Sequence, residues 1–504
     1  MLDNCQTDDP TTVDKNQNYE WSAMSKKLWF DFHDPVVNDN SRAHLGIRFE
    51  QVVKKKDGKS LDLSDRDKNS LLEAIEKTRQ AINSKDINSI YEGHFLKFDT
   101  LVRTDILKRS EKGWDLYEVK ASGEIKDEYI KDIAIQSFIA KSCDINLTSI
   151  NIIYINKEFE YLKDQDYQGL EKSEDITDRV KEEEGNIIKY IKDLKKLSEK
   201  NYPSPKKKMG SHCNKPRCNY LSKCKSLLPK NTYTILPNLS QKKINKFESE
   251  NIVHLKDVKI SDLSERQALI RKVHITGEPH IEKKKLKETF ANFKWPFYFM
   301  DFEFIQQIVP LVKNTKPFIP LVFQWSVHKW DSLDQKIKLE NGDSFLKFQD
   351  PTIERDFIES LLKTVGKTGD IFCHHASAEK TQLDNLKKYN HKDLSKQIDL
   401  LIDRIQDTET LVKECFYSPE MNGKSALKQV IKAIPKSSTN INYEKSNGLQ
   451  GGTDAELAWV ICTDPKTSDK EKLKQEKFLK EYCAKDTFAM HDIVKYLIEK
   501  TNEK

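Results

Sequence analysis

Four groups of residues in this sequence are of types, and at spacings, that do chemistry. Asp105 precedes the triplet Glu118-Val119-Lys120 in a stretch where apolar and polar residues alternate. Residues i and i+2 of a strand project from one face, so Glu118 and Lys120 share a face and Asp105 joins them across a hairpin. Two carboxylates there, with the Val119 carbonyl, form an all-oxygen set suited to Mg²⁺ or Mn²⁺. The lysine supplies the positive charge that orients an attacking water and stabilises charge growing on a scissile phosphate. By the same i, i+2 rule Asp301 and Glu303 share a face in YFMDFEF, and Tyr482 and Asp486, four apart in EYCAKDTFAM, share a helix face. Last, His212-Cys213, Cys218 and Cys224 lie together in a stretch broken by Pro and Gly, and three thiolates there suit Zn²⁺ or an iron–sulfur cluster.

The elements that must position these groups follow from periodicity. Residues 1–20 are polar and aperiodic and read as a flexible tail. Helical spacing begins near Ser41 with Leu45, Phe49, Val52 and Val53, and a second helix is predicted over about 64–83. Period-two alternation then marks 101–106 and 114–119 as a hairpin turning near Gly113. A helix over about 127–142 and an apolar strand at 150–155 complete an αββαβ unit, so 21–200 reads as a small mixed α/β domain. The cysteine stretch at 201–228 is a boundary, 229–290 reads as a helical linker of short Lys- and Glu-rich helices, and 291–504 opens with the strand Phe297-Tyr298-Phe299-Met300 and closes with a helix near 470–498. The expected fold class is therefore multidomain α/β.

Asp followed by Glu-x-Lys resembles the PD-(D/E)XK nuclease superfamily, and TDILKRSEKGWDLYEVKAS followed by YIKDIAIQSFIAKS resembles its RecB and Cas4 branch. The resemblance covers about 20–200 and implies a restriction-endonuclease-like fold in which Gln136 contacts the site or the nucleic acid, although Ala140 stands where the branch has an aromatic. It also makes Glu50 of GIRFEQVV a further metal ligand, with His44 as a second candidate. In that branch a C-terminal cysteine trio and one N-terminal cysteine hold a [4Fe–4S] cluster; here Met24 of WSAMSKKLWF occupies the expected first cysteine position. D-x-E on a strand with Y-x-x-x-D on a helix resembles the DEDD exonucleases of the ribonuclease H-like fold. That likeness implies that Asp301, Glu303 and Asp486 hold metal and that Tyr482 orients the attacking water. In FCHHASAEKTQL, Glu379 takes the position of the family's next Asp and His375 that of its Asn, with Asp407 of RIQDTETL as an alternative ligand. The whole chain resembles an uncharacterised bacterial family that joins such a nuclease, a cysteine motif and a DEDD-like domain.

Composition bounds these readings. The chain has 504 residues, too many for one core, and Lys+Arg 85 against Asp+Glu 80 gives a nearly balanced net charge of +5. Basic runs such as Lys54-Lys55-Lys56 and Lys206-Lys207-Lys208 neutralise phosphates only if they lie beside a site. Nine cysteines, mostly scattered, argue against a disulfide framework, and no apolar run reaches the length of a membrane span, so a cytoplasmic location is expected. The expectation is a metal-dependent enzyme that hydrolyses phosphodiester bonds of DNA at one site and acts as a 3′–5′ exonuclease at a second, in repair, recombination or defence. An inactive nucleic-acid-binding scaffold and an RNA-directed nuclease are the alternatives.

Overall fold

A sheet whose strands are covered by helices on both faces is what continuous apolar strands separated by amphipathic helices produce. The computed structural model describes residues 25–35, 43–54, 59–65, 70–200, 218–439, 441, 443 and 452–503. They form two compact units divided after Leu227, apart from Ile308–Pro310 and Lys316–Phe318, which group with the first. Both units are mixed α/β. No helix among the described residues is long and apolar enough to cross a membrane.

In the first unit, α1 (Ser25–His33), α2 (Ala43–Val53), β1 (Ser60–Asp62), α3 (Leu71–Asn83), β2 (Ser89–Lys97), β3 (Thr100–Arg109), β4 (Trp114–Lys120), α4 (Asp127–Ser142), β5 (Leu147–Ile155), β6 (Glu171–Asp175), α5 (Thr177–Ser198) and α6 (Leu221–Ser226) follow in order. The six strands lie side by side in chain order. β3 and β4 are an antiparallel hairpin, and β4 pairs in parallel with β5, the chain crossing between them through α4. Ile130, Ile133 and Ala134 of α4 pack on the face carrying Leu107 and Leu116. Phe49 and Val53 of α2 pack on the other, carrying Ile106 and Val119. Ala140, at the aromatic position of the resemblance, is fully buried in the α4 face, where packing leaves room for a small residue.

The expected hairpin and helix are present, and β1, β2 and β6 extend the sheet beyond them. In β2 the alternation is broken at Glu92, whose φ is 55°, between the pairs Tyr91↔Ile106 and Gly93↔Thr104. Glycine follows because a Cβ at Gly93 would meet Thr104 Oγ1 at 2.9 Å.

The second unit contains α7 (Gln241–Ser249), α8 (Glu265–Thr276), β7 (His280–Ile281), α9 (Lys283–Ala291), β8 (Phe297–Gln306), β9 (Pro320–Trp330), β10 (Asp343–Leu346), α10 (Ile353–Val365), β11 (Ile371–Cys373), α11 (Ser377–Asn385), α12 (Ser395–Ile402), β12 (Ile405–Asp407), α13 (Thr408–Cys415), β13 (Phe416–Tyr417), α14 (Leu427–Ala433), α15 (Gly452–Thr463) and α16 (Asp469–Asn502). Its five-stranded sheet has the order β10-β9-β8-β11-β12, with β8, β9 and β10 antiparallel and β8, β11 and β12 parallel. Residues 229–290, expected as a linker, instead supply Leu255, Ile270, Val273 and Leu286 to a core shared with Val412, Phe416, Val430, Ile493 and Leu497. Their surfaces are charged, but α7, α8 and α9 each keep an apolar residue for burial.

Candidate functional site

The first constellation arises where the β3–β4 hairpin opens. Ladder pairing runs from Arg109↔Trp114 to Ile106↔Tyr117. One residue further on, Asp105 Oδ2 accepts the Val119 backbone N–H at 2.8 Å, so a side chain takes over from the ladder. Asp105 and Glu118 are buried and project on the α4 face. There Gln136 donates Nε2 to Glu118 Oε2 at 2.8 Å. Lys120 Nζ bridges Glu118 Oε1 at 2.8 Å and Asp132 Oδ2 at 2.6 Å, and lies 5.2 Å from the Tyr129 ring centroid. Burial disfavours the ammonium, but the attraction of Glu118, Asp132 and Asp105 outweighs it and holds the pKa well above the ordinary lysine value. Lys120 is therefore a fixed cation.

The structure brings Asp105, Glu118, Lys120 and Gln136 together. Glu50 is half-buried on α2, the helix that covers the opposite face, and His44 lies at the start of that helix. Asp132 was not anticipated, although it stands four residues before Gln136 and so on the same helical face, a signal the sequence does carry.

The second constellation is denser. β8 carries Asp301 and Glu303, α11 carries Glu379, and α16 carries Tyr482, Cys483 and Asp486. Glu303, Glu379 and Asp486 are buried and Asp301 is partly exposed. Ligand atoms of Asp301, Glu303 and Cys483 all lie within 4.8 Å of one another, the one such group among the described residues. Burial, then the charges of Asp486 and Glu379, push Glu303 well above the carboxylate range, and burial with Asp486, Glu303 and Glu379 does the same to Asp301. Burial, with Asp407 adding to it, pushes Glu379 up to about 7. Glu379 Oε2 is buried without a hydrogen-bond partner.

Groups that the sequence reading missed hold Asp486 in place. Tyr443 donates its hydroxyl to Asp486 Oδ1 at 2.6 Å. Lys428 of α14 lies 5.1 Å from the ring centroids of both Tyr443 and Tyr482, and its charge draws Asp486 and Glu303 down against their burial. Burial, then Asp486, Glu303 and Asp301, push the Tyr482 hydroxyl far above the ordinary phenol value, so it keeps its proton. Cys483 donates weakly to the Asp301 carbonyl and carboxylate at 3.6 and 3.7 Å.

Asp407 is close to this cluster but otherwise engaged. Its Oδ1 accepts the backbone N–H of Glu409 at 2.8 Å and of His375 at 3.1 Å, and it caps α13. His375, with φ 66°, pairs with Glu409 at 2.9 Å. An acid whose lone pairs satisfy backbone donors at a helix start is explained by that duty alone.

Carboxylate oxygens dominate both sets, as hard divalent cations prefer, and the buried Glu379 oxygen lacks the partner such an ion would supply. Asp301, Glu303 and Cys483 are the group, among the described residues, whose ligand atoms converge closely enough to hold an ion. Of the cysteine group, His212 and Cys213 lie outside the described residues, as does Met24. Cys218 and Cys224 are half-buried beside Tyr220, which donates to Asp31 at 2.6 Å and stacks on Phe30 of α1 with centroids 5.0 Å apart.

Residues 298–426 match a family model described as a domain of unknown function, DUF2779. That span includes Asp301, Glu303 and Glu379 and ends before Lys428, Tyr443, Tyr482 and Asp486. The chain is also similar to the uncharacterized protein MG366 of Mycoplasma genitalium, 27% identical over 232 residues, which cover 42% of this chain and 33% of that protein. Neither description names an activity.

Proposed function

We propose that this chain is a metal-dependent nuclease with two carboxylate sites, one on each unit. The observation that carries the reading is the meeting of Asp301, Glu303, Glu379 and Asp486: burial raises all four pKa values, and the neighbouring acids add to it for Asp301 and Glu303. Four clustered acids, three of them buried, ionise side by side only against strong positive charge. The sheet order, three antiparallel strands followed by two parallel ones, supports the likeness to ribonuclease H-like enzymes.

A divalent ion bound by these acids would acidify a water and neutralise charge on the phosphate. The chain's own residues do the rest. Tyr482 keeps its proton and presents a hydroxyl that orients the water; Tyr443 fixes the Asp486 carboxylate; Lys428 adds a cation beside both tyrosines. In the first unit Gln136 and the Val119 amide fix the two carboxylates, and Lys120 holds a permanent charge for the phosphate. DNA is the favoured polymer, with strands bearing free 3′ ends the substrate of the second site. The test is degradation of 5′-labelled single-stranded DNA from its 3′ end in Mg²⁺ or Mn²⁺. Loss of that ladder in the Asp301→Ala, Asp486→Ala double variant supports the assignment, and its survival contradicts it.

A further inference from the structure

The second unit has a cavity of about 1010 Å³ at the edge of its sheet where β8, β11 and β12 begin. The acid cluster lies towards the other edge: Glu379 follows β11, and Asp301 is six residues beyond Trp295, about 20 Å at the rise of a strand. The cavity is thus separate from the carboxylates.

Its lining combines two chemistries. Trp295 is 37% exposed and Leu400 59% exposed, so an aromatic ring and an aliphatic side chain face the same opening. Trp295 stacks on Phe297 with centroids 3.8 Å apart and planes 7° apart, which fixes its ring at the entrance to β8. Lys294, Lys367 and Lys396 also line it; all three are exposed and have no ion-pair partner among the described residues. Nearby cations do find partners: Lys387 pairs with Asp384 and Asp399, and Arg355 with Glu359 and Asp393. Two further charged residues of the lining are structural. Arg404 spends its guanidinium on the carbonyls of Val365, Gly366, Thr368 and Gly369, and Asp370 accepts from the Lys294 amide and Gln406. Against the three unpaired ammonium groups stands one exposed carboxylate, Asp403.

A fixed aromatic face, an aliphatic floor and unpaired ammonium groups are complementary to a planar base carrying phosphate. We propose that this cavity binds a nucleotide, either free or as a segment of a single strand, through base stacking on Trp295 and phosphate contacts to Lys294, Lys367 and Lys396. The site goes beyond the hydrolytic reading and does not need the carboxylates or a metal.

The experiment uses the full chain in EDTA, with binding of a fluorescein-labelled twelve-nucleotide oligothymidylate read by anisotropy and thymidine monophosphate as competitor. The Lys367→Gln, Lys396→Gln variant should weaken oligonucleotide binding at least about tenfold and flatten the log–log salt dependence by about 1.4, the counterions of two phosphate contacts on a single strand. Trp295→Leu should weaken binding with the salt slope unchanged, because it removes stacking and no charge. Displacement by the monophosphate identifies a free nucleotide as sufficient; binding of the oligonucleotide alone identifies the strand as the ligand, and both support the site. Omitting metal keeps the acid cluster from contributing, which separates this cavity from it. Wild-type binding retained by both cavity variants, with unchanged melting temperatures, overturns the proposal, as does failure of the wild type to bind either probe.

Discussion

Glu379 shows most directly how burial and chemistry are linked. A carboxyl with a folded-state pKa of about 7, against an ordinary 4.5, holds its proton more tightly when folded than when unfolded. Raising the pH from 4.5 to 7 therefore removes stability, and above 7 the loss is constant, about 3 kcal/mol for this group. In EDTA, Glu379→Gln should melt higher than the wild type at pH 8, with the difference vanishing near pH 4.5; thermal unfolding across that range measures it. Equal melting temperatures at pH 8 would remove the strain assigned to the site. Lys120 acts in the opposite sense: it is charged at every working pH, and Lys120→Ala should lower cleavage at the first site by about 10²–10³. Glu118 with Lys120 and Tyr482 with Asp486 were legible from the i+2 and i+4 spacing of their elements, and Asp105 from the hairpin that sets it opposite the first pair. Tyr443 and Lys428 were not, because the chain brings them to Asp486 from positions that no local period connects to it.

At the scale of elements, the cap on α13 gives Asp407 a structural duty that the sequence reading did not assign to it. Asp407 was a ligand candidate, yet its carboxylate accepts backbone N–H groups at a helix start. Asn caps as well as Asp, so Asp407→Asn should keep both fold and activity, whereas Asp407→Ala should cost about 1–2 kcal/mol in denaturant unfolding. Loss of activity in Asp407→Asn at unchanged stability would return it to the ligand set. The hairpin β3–β4 and helix α4 were legible because alternation and amphipathic spacing are local. β2 was hidden by the turn of its backbone at Glu92, and the helices of 229–290 read as a linker because charge on their exposed faces outnumbers the few residues they bury.

For the whole molecule, the proposed function places one carboxylate site on each unit and so makes activity separable by mutation. The melting temperature should rise on adding Mn²⁺ to the wild type, and rise less in Asp301→Asn, since a ligand that binds only the folded state stabilises it. An equal rise in both would place metal binding elsewhere. The mixed α/β class was legible from the change of period along the chain; the topology of the second sheet was not, because strands as short as Ile371–Cys373 and Ile405–Asp407 carry no period of their own.

The most direct test of the central claim is one nuclease assay. Wild type, Lys120→Ala and Asp301→Ala are each given single- and double-stranded DNA and RNA, with Mg²⁺ or Mn²⁺ and an EDTA control. The expected result is metal-dependent cleavage by the wild type, with each variant losing a different part of it and RNA cut less than DNA. Cleavage that persists in EDTA, or that is unchanged in both variants, would contradict the assignment of phosphodiester hydrolysis to these carboxylates.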